Sequence, residues 1–137
     1  MKKIYSKIDP TKLLHILYTK HDMVKGDKAR DNLSADNDLV QIASMCLKTD
    51  QTFPSHIHLE QVRHTVGTQE SWIVIDGVVN VYYYDIDGTF LQQHELLAGD
   101  CTITFHGGHT YKAMTDALVY EFKNGPYNGY EKDKRLI

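Results

Sequence analysis

The strongest constraint on this chain is a regular run of short β-type stretches between residues 70 and 123. Residues 70–75, 78–84, 89–97, 101–105, 109–114 and 117–123 are rich in Val, Ile, Tyr, Thr and Phe. Turns separate them: Asp76-Gly77, Asp85-Ile86-Asp87-Gly88, Ala98-Gly99-Asp100, Gly107-Gly108 and Thr115-Asp116. Stretches of this length are too short for stable helices, and turns at such intervals mark antiparallel β structure. Two earlier stretches, 39–47 and 53–60, read as further strands, with a polar loop over 61–69. The expected fold class is therefore all-β, a sandwich or barrel. Residues 13–18 (Leu-Leu-His-Ile-Leu-Tyr) are too few for periodicity to separate helix from strand. Residues 25–38 read as loop.

At 137 residues the chain is one domain, with an irregular arm over about 1–38, a body over 39–123 and a tail over 124–137. The formal net charge of −3 and the lack of any long basic run argue against nucleic-acid binding. No apolar run reaches the 18 or so residues that a membrane-spanning helix needs. Cys46 and Cys101 are far apart and form no CxxC pair. With no leader-like start, a cytoplasmic protein with reduced thiols is expected. Asp85-Ile86-Asp87-Gly88 looks like the beginning of a calcium loop, but the closing glutamate is missing and a hairpin turn accounts for it.

His56-Ile57-His58 is the first chemical signal. Side chains two apart on a strand share a face, so both imidazoles would enter one space, as divalent-metal binding requires. A third and a fourth ligand would come from neighbouring strands. Glu60 keeps the right parity but would lie about 13 Å along the strand from His56, so Glu70, opening the next strand, is preferred. His109, beginning a strand after Gly107-Gly108, is preferred over His106, three residues earlier. His94 has no partner pattern and reads as a surface residue.

These residues resemble the two motifs of the cupin family. His56-x-His58 with Glu70 and then Gly77 is similar to the first motif; Gly99-Asp100 with Gly107-Gly108-His109 is similar to the second. The separation of His58 from Glu70 is longer than the family's usual one. The tail, with Gly125-Pro126-Tyr127 and Asp133-Lys134, resembles small WbuC-type cupins of bacterial surface-polysaccharide gene clusters. The resemblance implies a double-stranded β-helix (jelly-roll) barrel. It also implies one divalent ion (Fe, Mn, Ni or Zn) held by His56, His58, Glu70 and His109, and a homodimer.

Three histidines and a glutamate around an ion leave coordination positions open for a substrate or water. The expected function is metal-assisted isomerase, epimerase or lyase chemistry on a small sugar-like or carboxylated metabolite in polysaccharide biosynthesis. An iron dioxygenase and a non-catalytic metal- or sugar-binding module are the alternatives. A fourth possibility is a metal-free epimerase or ketoisomerase with a histidine base. Arg63, His64, Trp72, Tyr83 and His106 are the candidate pocket residues. Trp72 shares the parity of Glu70, and Arg63 and His64 could meet an anionic group.

Overall fold

A computed structural model describes residues 1–23, 25 and 30–137. The ten strands it contains are β1 (Lys2–Tyr5), β2 (Leu13–Tyr18), β3 (Arg30–Asn32), β4 (Ala43–Met45), β5 (Glu70–Asp76), β6 (Val79–Tyr84), β7 (Phe90–Leu96), β8 (Cys101–Thr104), β9 (Gly108–Ala113) and β10 (Leu118–Lys123). One short helix, α1 (Tyr130–Asp133), and a single 3₁₀ turn (Lys20–Asp22) are the only helical elements among the described residues. No described helix is long and apolar enough to cross a membrane.

The strands form a five-stranded sheet ordered β1-β2-β8-β5-β10, a three-stranded sheet ordered β7-β6-β9 and a separate β3-β4 pair, all antiparallel. From β5 onward the chain crosses repeatedly between the two larger sheets. β5, β8 and β10 lie in one, and β6, β7 and β9 in the other. The sheets pack face to face without closing into a barrel.

Alternation decides which side chains fill the space between them. Val79, Val81 and Tyr83 of β6 point inward against Ile4, Leu17, Val74 and Leu96. A second apolar cluster lies on the opposite face of the five-stranded sheet, where Ile16, Tyr18, Cys101, Ile103 and Phe105 are covered by Leu33 and Ile42. Central strands β2 and β8 are therefore buried on both faces. Burying one Ile or Leu side chain contributes about 1.5–3 kcal/mol, so this double layer is the most heavily stabilised part of the molecule. It also explains why 13–18 shows no alternation, although it is a strand: both of its faces are buried.

Each of the six stretches expected between 70 and 123 is a strand, with ends within one residue of those read from sequence. The two earlier ones differ. Of 39–47 only Ala43–Met45 is a strand, paired with β3, which sequence reading placed in a loop. That 25–38 loop lies partly outside the described residues. Residues just before β4 have their backbone groups taken by side chains. Gln69 Oε1 accepts from the Leu39 and Val40 N–H, and Gln41 donates to the Ala35 and Asp38 carbonyls. The expected strand over 53–60 is absent, and 46–69 contains no helix or strand at all. No neighbouring strand supplies a hydrogen-bond ladder there, and Pro54 has no N–H to offer one.

Candidate functional site

The interior between the sheets changes character along its length. At one end it is apolar, with Val74, Val79, Val81 and Leu96. Toward the start of β5 and β9 it turns polar. Glu70 pairs with Thr104 of β8, which pairs in turn with His15 of β2, so these side chains share the inward face. Across the gap, His109 and Tyr111 of β9 alternate inward beside Tyr83.

Glu70 and His109 meet at the centre of this polar end. The His109 imidazole donates from Nε2 to Glu70 Oε1 at 3.0 Å, and the Trp72 indole N–H donates to the same oxygen at 2.8 Å. Partial burial raises the pKa of the Glu70 carboxyl, but the His109 hydrogen bond and charge, with the Trp72 bond, outweigh it. The group is held below its ordinary value and is ionised at neutral pH. His109 Nδ1 is buried and has no partner among the described residues. The Tyr111 hydroxyl is likewise buried and unpartnered, and burial raises its pKa well above the usual phenol value. The Tyr111 ring stacks on Trp72, with centroids 3.9 Å apart.

His15 lies directly behind this pair and is fully buried. Its Nε2 sits 3.3 Å from the Tyr84 carbonyl, which can only accept, so Nε2 carries the proton and Nδ1 accepts from the Thr104 hydroxyl at 3.0 Å. That arrangement suits a neutral ring, and burial lowers its pKa to about 4. The Tyr83 ring packs against His15, and its hydroxyl shares a 2.5 Å hydrogen bond with Thr102.

The polar end opens into a cavity of about 680 Å³, within the range of small-molecule sites. Glu70, His106 and His109 line it, together with Lys12 and residues 133–137 of the tail. A side cleft of about 300 Å³ adds Trp72, Tyr111 and Glu121, and Glu70, His109 and Lys134 line both spaces. Gly107 gives the cavity floor its close approach to β6. Its φ is +76°, and a Cβ there would stand 2.5 Å from the Tyr84 carbonyl oxygen.

The residues singled out from sequence are distributed unevenly. Glu70 and His109 are together. His106 is on the cavity wall, Trp72 lies beside Glu70, and Tyr83 is buried behind the site. His56 and His58 lie within the exposed stretch 47–68, with ring centroids 5.0 Å apart. Arg63 and His64 are exposed on the same segment. Among the described residues, no three His, Cys, Asp or Glu side chains stand close enough together to hold one ion. His15, Thr104, Tyr111 and Lys134 were not read from sequence as site residues. For His15 and Thr104 no local signal exists, because only the β2–β8–β5 pairing brings them to Glu70. Tyr111 could have been found by counting two residues on from His109.

No family model, no curated protein and no solved structure matches the chain.

Proposed function

We propose that the chain is a cupin-type protein that binds a small metabolite in the cavity at Glu70 and His109, with a divalent ion as Lewis acid. The Glu70–His109 pair carries this reading. A carboxylate oxygen and an imidazole nitrogen 3.0 Å apart can both reach one ion at about 2.0–2.2 Å. With Nε2 on the ion, the ring proton of His109 would sit on Nδ1, which is buried and has no partner among the described residues. Two groups thus fit a metal; the other two of the expected set, His56 and His58, are not beside them.

In the same reading, residues 53–60 close the sandwich toward a barrel by adding to the outer edge of β9. Among the described residues β9 pairs only with β6, which leaves its second edge open for a strand. In an extended 53–60 segment the two imidazoles share one face, while Phe53, Ile57 and Leu59 share the other. His56 Nδ1 already donates to the Pro54 carbonyl at 2.9 Å, which leaves Nε2 free for a metal. A bound ion would polarise a substrate oxygen. Glu70, oriented by Trp72, would hold its negative charge against the ion, and the apolar inner end would keep water from behind the site. Isomerase, epimerase or lyase chemistry on a sugar-like or carboxylated compound is the activity this arrangement suits.

A second reading has its own support. A carboxylate bonded directly to an imidazole is also the arrangement of a metal-free acid–base pair, with Glu70 fixing the tautomer of His109. Elemental analysis of protein purified without chelator or nickel resin separates the two. The metal reading expects about one equivalent of a divalent ion, falling several-fold in His109→Ala, Glu70→Ala and His56→Ala. Full occupancy in all three variants, or none in the parent protein, sinks the metal reading; the second outcome favours the acid–base pair.

A further inference from the structure

The charged groups around the cavity are unequally satisfied. Three acidic side chains line it, and each is engaged within the protein. Glu70 accepts from Trp72 and His109. Asp85 accepts from the Ser6 hydroxyl and from the Lys7 and Ile86 N–H groups. Asp133 accepts from the Thr68 hydroxyl and lies 3.9 Å from Lys123 Nζ. Three permanent cations line the same space: Lys12, Lys134 and Arg135. None of them makes an ion pair with a described residue. Lys134 sits only loosely over the Tyr130 ring, 5.7 Å from its centroid. Lys12 is close enough to His106 to add to burial in lowering that residue's pKa.

Hydrogen bonds leave these carboxylates charged, so the lining as a whole is not positive; the three cations, however, make no ion pair with a described residue and are free to pair with an anionic group. Lys134 lines both the main cavity and the side cleft, as Glu70 and His109 do. We propose that the ligand is a small anion, a metabolite carrying a carboxylate or phosphate group. That group is held at the rim by Lys12, Lys134 and Arg135, and the rest of the molecule reaches inward toward Glu70 and His109. The proposal rests on the cavity being a ligand site, as argued above, but does not need a bound metal. It also gives the tail a role in binding, because residues 133–137 carry two of the three cations.

Isothermal titration at low ionic strength tests it. Inorganic phosphate, citrate and neutral glucose serve as probes, each against metal-depleted, dialysed protein and against metal-loaded protein. Phosphate or citrate binds, and glucose binds more weakly; whichever anion binds tighter identifies the group. The Lys134→Gln/Arg135→Gln double variant weakens anion binding about fivefold or more, and added salt weakens it in the parent. Lys132→Gln, an exposed change outside the cavity, leaves it unchanged, with circular dichroism confirming that every variant keeps its β content. The proposal is overturned if neither anion binds at about 10 mM, if glucose binds as well as the anions, or if the double variant binds them undiminished. Anion binding that survives metal depletion supports the rim even where the metal reading fails. Metal occupancy without anion binding overturns the rim alone.

Discussion

The two-sheet body and the 46–69 segment are built from similar material and end differently. Both contain alternating apolar and polar residues: Val79 to Val81 in one, His56 to Glu60 in the other. In the body, each such stretch has a neighbour across from it, and its inward-facing apolar side chains are covered. Ile103 is fully buried. In the segment no ladder forms, and Ile57 is 92 % exposed and Val66 94 %. Alternation is therefore only a capacity to form a strand. A backbone edge must be within reach before the hydrogen bonds and the burial follow, because a lone strand satisfies neither.

The largest expected effect tests that contrast directly. Ile103→Ala removes a side chain packed between β2, β8 and the covering loop, and costs about 2–5 kcal/mol in urea unfolding. Ile57→Ala in metal-free protein stays within about 0.5 kcal/mol. Comparable losses from the two variants would show that the segment is packed in solution, and the contrast drawn above would be wrong.

A smaller effect sharpens the difference between the apolar and polar halves of the interior. His15 has a folded-state pKa of about 4 because burial disfavours its charged form. The unfolded chain, with an ordinary value of about 6.5, binds the proton more readily between these limits. The His15 contribution is thus fully present above about pH 6.5 and is lost progressively as pH falls toward 4. It amounts to about 3 kcal/mol at most. The fall in stability between pH 7 and pH 4.5 should be visibly shallower in His15→Gln than in the parent chain. Equal slopes would mean that His15 is not buried in its neutral form.

The smallest effect concerns one bond. Tyr83→Phe keeps the ring against His15 and deletes the hydrogen bond to Thr102, for a loss of about 1 kcal/mol. A loss near zero would indicate that Thr102 finds another partner in the polar half.

Much of this site is legible in the sequence. Glu70 and Trp72 share a face because strands have a period of two. His109 begins a strand because glycines precede it. Less legible is everything that depends on chain crossing. His15 is 55 residues from Glu70 in sequence, and only β8, lying between their strands, brings it near. Lys134 and Arg135 sit in a polar tail with no periodicity to mark them, and only the folded chain brings residues 133–137 to line the cavity.

By itself, the sequence determined the local choices in this protein: strands over 70–123, turns at glycine and aspartate, and which alternate side chains could face inward. These depend on backbone sterics and on neighbours two to four residues away. Which strands became partners, which acids were hydrogen-bonded and which cations stayed free were decided by the tertiary structure alone. Pairing energy and desolvation depend on what stands opposite a residue in space, and nothing in a residue's own neighbourhood encodes that.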